Sequence, residues 1–262
     1  MRLLIVGPGR AGGSVALAAA AAGHEIAGVV SRSGDDRFGP PLDLEASLPP
    51  ADLLLVAVGD EAIAGVAASL APRAGSVPVA AHLSGFLPTT ALLRLADRGI
   101  AIGGFHPLQT LPDPESGAAA LAGSYAGIGG EGLAFDTLSG FASSLGMDWF
   151  RLSDEMRPSY HAAAAAAANF VIASLSVAGD LFEQAAVDPK VAEPLVQQAV
   201  ANFFEQGASA LTGPIARGDT LTVRGHLEAA QEVSADVGRQ FRLMAEATAI
   251  RANRSNEVAE WS

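Results

Sequence analysis

The sequence predicts an α/β fold, a mostly parallel sheet followed by an all-helical domain, and three observations carry that prediction. Residues 7–12 read Gly7-Pro8-Gly9-Arg10-Ala11-Gly12, between the apolar run Leu3–Val6 and the helix-forming stretch Ser14–Ala22. Apolar runs of strand length then alternate with helical stretches as far as Leu152. Beyond Ser153 the strand pattern stops and helices continue to about Arg251. Strands that alternate with helices build a parallel sheet, whereas consecutive helices must cover one another. The expected domains are therefore 1–153 and 154–262.

The first element decides the character of the first domain. A G-x-G-x-x-G turn between a strand and a helix is the dinucleotide fingerprint of a Rossmann-type sheet. Gly7 allows the tight turn, Gly9 lets backbone approach a pyrophosphate, and Gly12 lets helix pack on strand. Arg10 and Ala11 open the helix, whose positive end and unpaired amides favour an anion.

Glu25–Val30 reads as the second strand, and Ser31-Arg32-Ser33 follows it. A cofactor without a 2′-phosphate usually meets a carboxylate there. Two hydroxyls and a guanidinium suit a phosphate dianion, so the expected cofactor is NADP. Residues 34–50 read as a loop with a poor strand or none. Asp52–Val58 is a buried strand whose end, Val58-Gly59, should face the cofactor, with Asp60 as cap of the helix to Leu70. Strands at 78–81 and 100–103 end in His82-Leu83-Ser84-Gly85 and Phe105-His106-Pro107-Leu108-Gln109-Thr110. Ligands of open parallel sheets bind beyond such strand ends. Strands at 124–128 and 148–152, around a helix from 132 to 145, complete the sheet. In the second domain a helix runs from Tyr160 to about Ala186, another from Lys190 to Gln206, and a loop spans 212–219. The last ten residues are expected to fray.

Composition narrows the function. The 262 residues are 50% hydrophobic and 17% charged, with a net charge of −12 and no cysteine. An acidic chain argues against a nucleic-acid partner. Without cysteine there are no disulfides and no thiolate chemistry, which is compatible with the cytoplasm. No histidines stand at metal-ligand spacing, so no metal is expected. Ala162–Gly179 is nearly uncharged and almost long enough for a bilayer, but no second span follows it. It reads as a core helix, in this chain or in an oligomer, of a soluble protein. A homodimer through the helical domain is expected, because that helix offers more apolar surface than a small domain can cover.

HLSG (82–85), FHPLQT (105–110), YHAAAAAAAN (160–169) and LTGPIARGD (211–219) resemble a bacterial Rossmann-like family whose C-terminal half is a domain of unknown function. It belongs to the 6-phosphogluconate-dehydrogenase-like superfamily. Ser84 and His106-Pro107 match the arrangement in prephenate dehydrogenases, where the histidine bonds the substrate hydroxyl. Thr212–Thr220 loosely resembles the carboxylate-binding loop of pyrroline-5-carboxylate reductases. Tyr160-His161 stands where related dehydrogenases carry a catalytic lysine, and the single lysine, Lys190, reads as a solvated helix-start residue. The resemblance implies an oxidoreductase.

Catalytic candidates are thus His106 or His161 as proton donor, with Ser84 orienting the reacting group. His82, Tyr160, Asn169 and Arg217 are candidate substrate ligands. Arg217 either clamps a carboxylate or pairs with Asp219. His24 and His226 read as structural. The expected function is NADP(H)-dependent reduction of a C=O or C=N group in a small carboxylated metabolite. The alternative is a cofactor-binding regulatory or partner protein without turnover.

Overall fold

The computed structural model describes every residue except Ser33–Asp35, Leu44, Ala46, Ser76 and Ser262. They divide into two compact units, Met1–Ala165 and Ala166–Ser262.

In the first unit the strands are β1 (Arg2–Val6), β2 (Glu25–Val30), β3 (Pro41–Leu42), β4 (Leu53–Val56), β5 (Val79–His82), β6 (Ala101–Leu108), β7 (Tyr125–Gly130) and β8 (Asp148–Arg151). They form one sheet in the order β3-β2-β1-β4-β5-β6-β7-β8. All neighbours are parallel except β6 and β7. The helices are α1 (Arg10–Ala21), α2 (Asp60–Leu70), α3 (Leu93–Ala96), α4 (Pro114–Leu121), α5 (Gly132–Ser144) and α6 (Arg157–Ala165). The central strands read as unbroken apolar runs because both faces are covered, alternate residues serving opposite cores. Leu3, Leu53, Leu55 and Val79 join Val15, Leu138 and Phe141 on one face. Leu4, Leu54, Val56 and Ala80 join Ile63, Leu70 and Leu92 on the other.

Register places the site. Val30, Val6, Val56, His82 and Gly104 pair in one row across β2, β1, β4, β5 and β6. The segments starting at Ser31, Gly7, Ala57 and Leu83 leave the sheet just beyond that row. The chain order reverses at β1, which makes this edge a topological switch point.

Several expectations change. The strand expected over 100–103 runs on to Leu108, so His106 lies inside β6 rather than beyond it. β7 pairs with it antiparallel as far as Leu108, while β5 ends at His82. Pro107 is tolerated because β6 has no β5 partner there. Asp60 is the first residue of α2, not its cap; Gly59 holds that position without a side-chain bond.

The second unit holds a π-helical turn, Ala166–Phe170, then α7 (Val171–Gln184), α8 (Glu193–Gln206), α9 (Pro214–Arg217), α10 (Thr220–Val233) and α11 (Ala235–Arg251). Ser234 ends α10 and caps α11 by accepting the Val237 amide. Where fraying was expected, Ser255–Trp261 forms a 3-10 helix. Trp261 packs with Val223, Leu227, Ala245 and Ala249 because Arg224 bonds the Glu260 carbonyl and Arg254 pairs with Glu257. The apolar helix is not a core helix of this chain. Asp154–Gln184 is long and apolar enough to cross a membrane by length and composition, and only 6% of its most apolar window is buried.

Candidate active site

The switch point opens into a cleft of about 520 Å³, lined by the segments Gly7–Gly9, Ser31–Arg32 and Ala57–Gly59. The three motif glycines have separable physical reasons. Gly7 has φ +88°, and a Cβ there would lie 2.7 Å from the Ala57 carbonyl oxygen. A Cβ on Gly12 would collide with the Gly7 carbonyl and stand 2.8 Å from the Ala57 methyl. Gly9 instead faces open space, with nothing within 4 Å of its Cβ position. Gly9 also caps α1 without a side-chain bond. The residues therefore fit a pyrophosphate, since backbone donors at a helix start meet a space kept clear for it. Arg32 is exposed on the cleft wall, Ser31 is half-buried beside it, and Val58 and Gly59 line the opposite side. Arg10 is exposed and Ala11 half-buried in the first turn of α1. Ser33 lies outside the described residues.

The second feature of this edge is a cluster of rings. His106 Nδ1 is 2.7 Å from the Tyr160 hydroxyl. The His106 ring meets the rings of Tyr160 and His161 edge-on at 5.4 and 5.6 Å. Gly85 makes the convergence possible. A Cβ there would lie 2.6 Å from His161 Nδ1 and 2.8 Å from His106 Nε2. Tyr160 and His161 come from α6 and His106 from β6, so the cluster joins strand to helix.

Two neighbours play roles other than those the sequence suggested. The Ser84 oxygen accepts the Phe86 and Leu87 amides at 3.1 and 3.0 Å, closing the turn after β5. Only its hydroxyl proton is left for another partner. His82 is fully buried, with Nε2 3.2 Å from the Pro88 carbonyl oxygen, and has no surface to offer a substrate. A strand-end histidine on a sheet covered on both faces is enclosed by the fold.

Burial sets the protonation states. It lowers His106 to about 4, helped by His161, Arg157 and His82. It lowers His82 to about 4, with Arg157 as the next cause. It raises the Tyr160 phenol to about 12. Near neutral pH the imidazole of His106 is thus uncharged and the phenol keeps its proton. An uncharged Nδ1 accepts the phenolic O–H, which leaves a proton on Nε2. Both histidines bind protons less readily in the folded chain than in the unfolded one. Stability should therefore fall as pH drops from about 6.5 to about 4, by on the order of 3 kcal/mol for one histidine. The two are coupled, so the sum is less than twice that. Urea unfolding across this range checks it, and His82→Asn should flatten the slope.

Asn169 and Arg217 belong to the second unit. Asn169 is exposed in the π-helical turn, and Arg217 is exposed at the end of α9. Asp219 makes no close ion pair with Arg217, although the Arg217 charge helps to hold its carboxyl low, after the Thr222 hydrogen bonds. It caps α10, accepting the Thr222 amide and hydroxyl at 3.1 and 2.7 Å. Lys190 is exposed at a helix start and His226 is exposed on α10. The residue that the sequence reading missed is Arg157, buried beside Ser84. The available signal was Gly104 and Gly129, glycines inside strands where a close approach is the usual reason.

Residues 124–248 match the model of a family described as a domain of unknown function, DUF2520. That span is similar to the family's domain, and the fold around it is Rossmann-like. The matched span takes in β7, α5 and β8 before entering the helices, so the domain includes the antiparallel end of the sheet. None of the curated proteins compared matches the chain. Solved structures do. A Bacteroides fragilis protein provisionally named an NADP oxidoreductase superposes with a TM-score of 0.81 at 20% identity, over 95% of this chain and 98% of that one. An Aspergillus terreus reductive aminase, solved with NADPH and ethyl levulinate, gives 0.67 at 17% identity over 99% and 97%. Plasmodium falciparum pyrroline carboxylate reductase, solved with NADP bound, gives 0.65 at 15% identity over 96% and 98%. At such identities the likeness is one of fold.

Proposed function

We propose that the protein is an NADP(H)-dependent oxidoreductase that reduces the C=O or C=N group of a small carboxylated metabolite. The observation that carries this reading is the shared sheet edge. The phosphate-accepting turn at Gly7–Gly12, the guanidinium of Arg32 and the His106–Tyr160 pair all lie along it. The solved neighbours crystallised with NADP or NADPH and a carbonyl compound support the same class.

Gly7, Gly9 and the first-turn amides of Arg10, Ala11 and Gly12 would hold the pyrophosphate, and Ser31 and Arg32 the 2′-phosphate. Ala57, Val58 and Gly59 would cover the opposite side. When bound, the reduced cofactor supplies a hydride to the substrate double bond. The chain supplies the proton: His106 Nε2–H presents it, and the Tyr160 hydroxyl held at Nδ1 replaces it. Calorimetric titration tests the cofactor assignment: NADPH should bind at least tenfold more tightly than NADH. Equal affinities, or none, would contradict it.

A second copy of the chain is the proposed cover for the apolar helices, in a soluble, cytoplasmic homodimer. Phe170, Ile172, Leu195, Phe203 and Phe204 are all exposed on the second unit, Phe204 at 82%. Surfaces of that kind mark interfaces. Sedimentation should show a dimer that Phe204→Asp weakens. A monomeric wild-type protein that pellets with lipid vesicles would replace the partner copy with a membrane.

A further inference from the structure

Among the described residues Arg157 is the only arginine, lysine, aspartate or glutamate that is buried, with no exposure at all. Taking a guanidinium out of water is strongly unfavourable, and an apolar side chain of similar volume often serves stability as well or better. The fold nevertheless makes room for it. Gly104 and Gly129 face each other across β6 and β7. A Cβ on Gly104 would collide with Arg157 Nη2 and lie 2.8 Å from its Cζ, and one on Gly129 would come within 2.5 Å of Nη2. Glycine weakens a strand interior, so two facing glycines need a reason, and this side chain is that reason.

The guanidinium reaches in two directions. Nη1 donates to the Ser84 carbonyl at 2.9 Å, and Nε donates to Asp154 Oδ1 at 3.1 Å. The Asp154 carboxylate in turn accepts the Thr89 amide at 2.9 and 3.0 Å and its hydroxyl at 2.7 Å. Both ends of the loop 84–89 are therefore held from the turn that opens α6. That loop carries Gly85, whose missing Cβ leaves room for His106 and His161 to meet, and α6 carries Tyr160 and His161. Arg157 Nη2 and His161 Nδ1 have no hydrogen-bond partner.

We propose that Arg157 is a positioning residue of this site. Its guanidinium ties the loop 84–89 to the head of α6, fixes the spacing of His106, Tyr160 and His161, and sets a permanent positive charge beside them. The charge acts on the same cluster: it helps lower His106 and His82 and opposes the upward shift that burial imposes on Tyr160. The groups acting on His106 are His161, Arg157 and His82; Tyr160 is hydrogen-bonded to it, and Asp154 is paired with Arg157.

The inference rests on the proposed reduction only for its turnover readout. Histidine-ring NMR titrations and amide exchange of the ligand-free protein do not depend on it. Arg157→Met should fold, yet His106 should bind its proton about tenfold more tightly, the size of effect expected from removing a nearby buried charge. The Leu87 and Thr89 amides should exchange faster, and NADPH oxidation should slow with NADPH affinity unchanged. Arg157→Lys keeps the charge without the fork, so His106 should titrate nearly as in the wild type while the loop amides still exchange faster. Wild-type titration and exchange in Arg157→Met, or failure of both variants to fold, would overturn the assignment. A wild-type protein that oxidises no NADPH sinks the reductase reading alone and leaves the NMR results to decide on Arg157.

Discussion

Tyr160→Phe is expected to lower turnover by about 10²–10⁴-fold, the usual scale of general acid–base assistance, while leaving NADPH affinity unchanged. The reason is the 2.7 Å contact between the phenol and His106 Nδ1. Phenylalanine keeps the ring packing against Phe150 and His106 but removes the hydroxyl that returns a proton to the imidazole. His106→Ala removes the proton at Nε2 itself and should cost at least as much. The double variant should be little worse than His106→Ala alone, because residues that act as one unit do not contribute additively. If His106→Ala keeps its turnover while His161→Ala loses it, the proton comes from His161 instead. Steady-state kinetics with NADPH held saturating separates these outcomes.

Arg32→Ala is expected to weaken NADPH binding by roughly 10–100-fold, as hydrogen bonds to a charged group contribute about 1.5–3 kcal/mol. NADH affinity should barely change, because NADH lacks the phosphate that Arg32 would meet. Arg32 is exposed, so raising the salt concentration should narrow the gap between wild type and variant. Titrations of both cofactors at two ionic strengths provide the check. A variant that loses both cofactors equally would mean that Arg32 shapes the cleft without reading the phosphate.

The parts of the molecule most legible in the sequence are those where one residue type answers a local physical demand. Gly7 and Gly12 stand where their spacing suggested, because a tight turn and a close helix–strand approach each exclude a Cβ. The alternation of apolar runs and helices located every substantial strand of the sheet. What escaped was set by neighbours distant in sequence. His106 falls inside β6 because β7 returns antiparallel alongside it, and nothing in FHPLQT announces that partner. Trp261 is buried because Val223 and Ala249 lie across from it, although the tail alone reads as polar. Arg157 required a notch cut by two glycines on different strands. The alanine-rich helix showed its apolarity plainly, but composition cannot say whether its cover comes from the same chain.

Whether this sheet edge binds NADPH and uses it is decided by NADPH consumption with a panel of 2-oxo acids and cyclic imines. Oxidation is expected with at least one carboxylated member, and it should be lost in Tyr160→Phe while cofactor binding persists. Tight NADPH binding with no oxidation across the whole panel would contradict the reductase reading and leave a protein that binds the cofactor without turning it over.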